Sequence, residues 1–149
     1  MPLTITSVNL RVALTTVPCP PAGGTFSVTA TVNGTSTGAG GTYDVRLYDV
    51  DPDNATFPPN AATLARFELL DEVLGAAAAP GALLATPHVF TLTCNNQCEI
   101  EGAKGNSGEQ QTPIVARATV VGGSDIWSNR VMIQCGSNPT YRRREDGER

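Results

Sequence analysis

The stretch Thr25-Phe26-Ser27-Val28-Thr29-Ala30-Thr31-Val32 decides the fold. Its apolar side chains alternate strictly with hydroxyl side chains, and a period of two puts the two sets on opposite faces of a β-strand. A helix would instead repeat its apolar positions about every 3.6 residues. The stretch therefore predicts a strand with one face in a core and the other face in solvent.

The same period of two recurs on both sides of this strand. Further runs typical of strands are residues 8–14, 43–49, 88–94, 114–121 and 127–135. The phase of the alternation reverses at Thr6 and Ser7, which predicts a β-bulge there. Clusters of Gly, Pro, Asn and Asp separate the runs and are typical of turns. The sequence thus predicts an all-β protein, an antiparallel β-sandwich of seven to eight strands.

Residues 64–79 are ambiguous between two structures. The apolar positions Leu64, Phe67, Leu70 and Leu74 fit the spacing of an amphipathic helix. A strand followed by an alanine-rich turn fits equally well, and the neighbouring strands favour it.

The order and residue pattern of the predicted strands resemble those of immunoglobulin-like domains in phage virion (decoration) proteins and bacterial surface proteins. Residues 25–32, 43–49 and 128–133 carry the resemblance, which extends as a pattern over most of residues 3–135. The Cys, Trp and Cys spacing of antibody domains is absent. The resemblance implies an immunoglobulin-like sandwich over residues 1–136 that binds, spaces or reinforces other proteins. Residues 137–149 then form a short charged C-terminal tail.

Composition narrows the class of protein. A net charge of −4 and a pI near 4.8 argue against a nucleic-acid partner. No apolar run approaches the roughly 20 residues that would insert into a membrane. The N-terminus lacks the basic and apolar regions of a signal peptide. We therefore expect a virion or extracellular protein that is made without a visible signal, or one from which a signal has been removed.

The four cysteines are Cys19, Cys94, Cys98 and Cys135. They fall at predicted strand ends or in an adjoining loop, and four cysteines allow three pairings. We expect two disulfides at one pole of the sandwich, with Cys19 bonded to Cys98 and Cys94 bonded to Cys135. Free buried thiols and a four-thiolate zinc site are the alternatives, and the wide separation of Cys19 and Cys135 from the other two argues against zinc.

Three acidic residues, Asp49, Asp51 and Asp53, have the alternating spacing of a loop that could bind Ca²⁺. The glycine and the glutamate that a calcium loop needs further on are missing, so ordinary turn chemistry is the preferred interpretation. The sequence predicts no cofactor.

No grouping of residues indicates catalysis, since the only histidine, His88, has no evident nucleophile and no serine elbow is present. We therefore expect a protein that is not an enzyme. The expected partners are other protein subunits of an assembly, and the candidate partner-binding residues are Trp127, Tyr141, Arg142, Arg143 and Arg144. The alternative is a secreted adhesion or carbohydrate-binding module that uses Trp127 to bind surface glycans.

Overall fold

The computed structural model describes residues 3–36, 40–52, 54–79, 81, 83–121, 123 and 125–136. It is an all-β sandwich. Its strands β1 to β10 are Leu3–Val12, Thr16–Pro18, Gly24–Ser36, Gly41–Asp49, Glu68–Ala78, Leu83–Cys94, Ile100–Glu101, Gln111–Thr119, Ile126–Trp127 and Val131–Gly136. A single turn of helix, α1, spans Ala61–Leu64. No helix in the described ranges is long and apolar enough to cross a membrane.

The strands form two packed sheets. The first, sheet A, has the order β1-β3-β6-β7. The second, sheet B, has the order β2-β10-β8-β4-β5, and β9 pairs with β8 beside that path. All pairings are antiparallel except the parallel one between β2 and β10. The chain therefore starts in sheet A and crosses to sheet B between β1 and β2.

The core lies between the sheets and follows the predicted period of two. Val28, Ala30 and Val32 of β3 are completely buried, and so are Val45 and Leu47 of β4. The hydroxyl side chains between the β3 positions remain half-buried or exposed. The strand that decides the fold in the sequence is thus an inner strand of sheet A, paired on both sides.

The predicted bulge at Thr6 and Ser7 is confirmed, because the register of β1 against β3 shifts between Ile5 and Ser7. Opposite the bulge, the backbone of β1 comes very close to Gly34. A Cβ atom at Gly34 would lie 2.1 Å from the carbonyl oxygen of Thr4. Only glycine fits this position without moving the backbone of β1.

The strand interpretation of residues 64–79 is confirmed over Glu68–Ala78, which pair with β4. The expected alanine-rich turn is wrong in part, because Ala76 and Ala77 continue the strand. The sequence missed two short strands, β2 and β7. The single strand predicted over residues 127–135 is wrong at residues 128–130, because Ile126–Trp127 and Val131–Gly136 are separate strands. Runs this short carry too few alternations to show a period.

Candidate functional site

A cluster of aromatic side chains lies on the outer face of sheet B, away from the main core. We call it the aromatic face, and it consists of Tyr48, Phe57, Phe67 and Trp127. The ring centroid of Trp127 lies 5.7 Å from that of Tyr48, 5.5 Å from that of Phe57 and 6.1 Å from that of Phe67. These are ordinary separations for tilted and edge-to-face aromatic contacts, each worth about 0.5–1.5 kcal/mol.

The sheet positions two of the four rings. Tyr48 follows Leu47 in β4, so its side chain points outward while that of Leu47 points into the core. Trp127 of β9 pairs with Arg117 of β8 and presents its ring beside that of Tyr48. The outward side of β4 and β8 thereby forms the floor of the aromatic face.

The other two rings come from the connection between β4 and β5, of which the structure describes residues 50–52 and 54–67, and this described part folds back over the sheet. The amide of Val50 donates to the carbonyl of Pro113 at 2.9 Å. Asn60 caps α1, since its Oδ1 accepts from the amide of Thr63 at 2.8 Å. Phe67 is buried, while Phe57 remains half-buried. The aromatic face is therefore a small second core with a partly open rim.

Two arginines lie against these rings. The guanidinium carbon of Arg117 is 5.3 Å from the ring centroids of both Tyr48 and Trp127, and that of Arg130 is 4.9 Å from the centroid of Phe57. These distances are within the range of cation–π attraction. Arg117 also donates to the hydroxyl of Tyr48 and forms an ion pair with Asp125 at 3.4 Å. The Nε of Arg117 is buried and has no hydrogen-bond partner among the described residues.

The tyrosine hydroxyl stays neutral in this environment. Burial raises the pKa of Tyr48, and the positive charges of Arg117 and Arg46 oppose that rise. A neutral hydroxyl can accept the hydrogen bond that Arg117 donates and keep its own proton for a further acceptor. The aromatic face thus offers aromatic edges, a cationic guanidinium and a hydroxyl within a small area.

The structure gives a mixed outcome for the predicted partner-binding residues. Trp127 is half-buried and belongs to the aromatic face. The predicted residues Tyr141, Arg142, Arg143 and Arg144 lie outside the described residues. Sequence reasoning missed the contribution of Tyr48 and Arg117. Their signal was a tyrosine and an arginine at outward strand positions, but the period of two alone does not say which outward side chains meet.

The acidic residues proposed for calcium do not converge in the part of the chain that the structure describes. Asp49 is buried and accepts a hydrogen bond from Thr112. Asp51 lies on the surface and pairs with Arg66 at 3.8 Å. Asp53 lies outside the described residues. Asp49 and Asp51 belong to no group of potential metal ligands among the described residues, and their observed contacts fit a structural role at the end of β4.

The four cysteines form two disulfides at one pole, as the sequence predicts, but the predicted pairing is wrong. Cys19 is bonded to Cys94, and Cys98 is bonded to Cys135. The turn after Cys19 leads directly into β3, where Gly24 pairs with Cys94. Cys19 therefore sits against the end of β6. One disulfide joins β6 of sheet A to the residue that follows β2 of sheet B, and the other joins the loop after β6 to β10 of sheet B.

His88 lies within β6 rather than at its start, because β6 begins at Leu83. Its Nε2 is 2.7 Å from the hydroxyl of Tyr43 in β4, so a hydrogen bond joins the two sheets. Burial lowers the pKa of His88 and raises that of Tyr43, which favours the neutral form of each.

We found no protein-family model that matches the chain and no curated protein with a significant match to its sequence.

Proposed function

We propose that this chain is a non-catalytic, immunoglobulin-like structural domain that attaches to other protein subunits of a large assembly, with a virion decoration or minor structural protein as its specific role. The aromatic face around Trp127 is the observation that carries the proposal. Tryptophan, tyrosine and arginine are the residues that contribute most to protein–protein binding energy. Here they occur together on the outer side of sheet B, where Trp127 and Arg117 are half-buried and Tyr48 is buried between them.

The order of the strands supports the immunoglobulin-like part of the proposal. In immunoglobulin-like domains one sheet has the order A-B-E-D, and the other places strands G, F, C and C′ side by side. Here β1-β3-β6 takes the order A-B-E, and β10-β8-β4-β5 takes the order G-F-C-C′. The parallel pairing of β2 with β10 fits a first strand that is divided between the two sheets.

The disulfides support a protein that works outside a reducing compartment. Structural disulfides persist in oxidising surroundings such as the cell exterior or a particle surface. Both bonds are buried at the pole of the sandwich, which makes them part of the scaffold. A virion or extracellular location is therefore the one we propose.

The attachment can be tested by sedimentation of native particles from cells that produce the tagged chain. We expect the wild-type chain to sediment with the particles and Trp127→Ala to lose binding by about 30-fold, the effect of a hot-spot residue. Val89→Ala is the matched control, because Val89 is 61% exposed on the outer face of sheet A. Deletion of residues 141–149 tests the predicted contribution of the tail. Free wild-type chain in the gradient, or undiminished binding of Trp127→Ala, would refute the proposal.

A carbohydrate-binding module is the second candidate, favoured by the half-buried ring of Trp127 beside the ion pair of Arg117 and Asp125. An aromatic ring can stack on the apolar face of a sugar while neighbouring polar groups bind its hydroxyls. A glycan array distinguishes the two candidates. Binding of a defined glycan that Trp127→Ala abolishes and Val89→Ala retains would favour this second function.

A further inference from the structure

We propose that the cysteine pole, defined as Cys19, Cys94, Cys98 and Cys135, is a tetrathiolate zinc site when its disulfides are reduced. The sulfur atoms of Cys19, Cys98 and Cys135 all lie within 4.8 Å of one another. The fourth sulfur, that of Cys94, is bonded to that of Cys19. In a tetrahedral site with zinc–sulfur bonds of about 2.3 Å, the sulfurs are about 3.8 Å apart. In the oxidised chain the sulfur of Cys94 lies outside this group of three, so it must move towards the sulfurs of Cys98 and Cys135 before four sulfurs can surround a zinc ion.

The backbone holds the cysteines in place independently of the disulfides. The amide of Cys19 donates to Gly136 at 3.1 Å, that of Cys135 donates to Gln110 at 2.7 Å and that of Cys98 donates to Asn95 at 2.9 Å. Cys94 lies in β6, in register with β3. Reduction removes none of these bonds, so the four thiols would remain close together in the folded chain.

The turn between Cys94 and Cys98 is suited to hold two metal ligands. Two cysteines separated by two to four residues are typical of zinc sites, and three residues separate this pair. Within the turn, Oδ1 of Asn95 accepts from the amides of Gln97 and Glu99 at 2.9 and 3.0 Å. Cys98 has a φ of 64°, a left-handed conformation that is uncommon for residues other than glycine. The turn thus places Cys94 and Cys98 at the same end of the sandwich, where each is bonded to another cysteine.

The ligand chemistry and the burial favour zinc in a closed, structural site. Thiolates are soft ligands that select Zn²⁺ among the common divalent ions of the cell. All four cysteines are at most 5% exposed, so no position is left open for water or substrate. Structural zinc sites have this closed four-coordinate form, whereas catalytic sites keep one position free.

Reduction of both disulfides must come before zinc binding. A phosphine reductant transfers two electrons to each disulfide, takes up one oxygen atom from water and leaves two thiols. Zn²⁺ then forms four zinc–sulfur bonds and displaces the four thiol protons. No oxidation of the metal occurs. In a reducing compartment the chain would hold zinc, and in an oxidising one the same four residues would form the two disulfides.

The test uses the full chain, reduced with a phosphine, desalted without oxygen and titrated with Zn²⁺ alone. We expect one zinc ion per chain, four thiols protected from a thiol reagent until a chelator is added, and a higher melting temperature than that of the reduced metal-free chain. Co²⁺ in place of zinc should give the absorption of a tetrahedral thiolate site. The oxidised chain should retain no zinc.

Two variants separate a built site from loose thiol binding. Cys98→Ala with Cys135→Ala removes two ligands, and the reduced variant should lose its zinc during desalting. Thr93→Ala, next to Cys94 but directed out of the core, is the matched control and should retain one zinc. The proposal is overturned if the reduced wild-type chain, titrated with zinc, retains no zinc or protects fewer than four thiols, whether or not the chain is folded. It is equally overturned if the chain binds zinc as tightly in denaturant as in buffer.

Discussion

Removal of one disulfide should destabilise the sandwich by an amount that depends on which cysteines are replaced. The bond between Cys19 and Cys94 spans 75 residues. From the entropy that closing this loop removes from the unfolded chain, we expect the bond to contribute about 4.5 kcal/mol to the free energy of unfolding at 25 °C. The bond between Cys98 and Cys135 spans 37 residues and is assigned about 3.8 kcal/mol. The two loops follow one another along the chain without overlap, so their contributions should add.

Two double variants make this prediction sensitive to the pairing. Cys19→Ala with Cys94→Ala leaves the bond between Cys98 and Cys135 intact. Cys19→Ala with Cys98→Ala also removes two cysteines, but it breaks both bonds because each replaced residue belongs to a different disulfide. The second variant should therefore be less stable than the first by about 3.8 kcal/mol, the contribution of the shorter loop.

Guanidinium unfolding without reductant measures both variants. Far-UV circular dichroism follows the sheets, and titration of free thiols counts the unpaired cysteines. We expect no free thiol in the first variant and two in the second. Equal stabilities, or greater stability of the second variant, would refute the observed pairing. Unchanged stability of both would refute the structural role of the disulfides.

Three further changes test the core, the inter-sheet hydrogen bond and the aromatic face. Gly34→Ala should cost about 1–3 kcal/mol in denaturant unfolding, because the new Cβ collides with the backbone of β1 and forces it to shift; an unchanged unfolding midpoint would contradict the close approach. The lowered pKa of His88 means that the unfolded chain binds a proton more readily, so the stability that His88 contributes should be complete above pH 6.5 and fall as the pH drops through the lower folded pKa. His88→Gln should reduce the change in the urea unfolding midpoint between pH 7 and pH 5. An unchanged pH dependence would exclude His88 as its source. Arg117→Lys should lose about 0.5–2 kcal/mol of stacking against the rings and change the fluorescence of Trp127, the only tryptophan, while circular dichroism of the sheets stays constant; unaltered fluorescence would contradict the contact.

The fold could be predicted from the sequence where a strand is long enough to show its period. The alternation in residues 25–32 identifies an inner strand of sheet A, and the reversed phase at Thr6 locates the bulge to the residue. The strand Glu68–Ala78 was ambiguous because its apolar spacing fits two periods, and pairing with β4 settles the choice. Local pattern is therefore sufficient for long elements, while short or ambiguous ones depend on tertiary pairing.

The candidate site was predictable only in part, because distant residues build it. Trp127 could be identified as a notable side chain, but the packing of Phe57 and Phe67 against it depends on how residues 50–52 and 54–67 fold over sheet B. The disulfide pairing failed for a related reason. Three pairings satisfy the sequence, and the choice follows from the turn that places Cys19 beside the end of β6.

Neighbouring residues of a single strand belong to two different apolar clusters, the main core between the sheets and the aromatic face on the outer side of sheet B. In β4, Leu47 belongs to the main core and its neighbour Tyr48 belongs to the aromatic face. The same division places Ala116 inside and Arg117 outside on β8. Because the sheet separates the clusters, a substitution on the aromatic face changes few contacts in the core, and the effects of distant, independent sites add. A sandwich built this way can change the residues of its aromatic face and retain its fold.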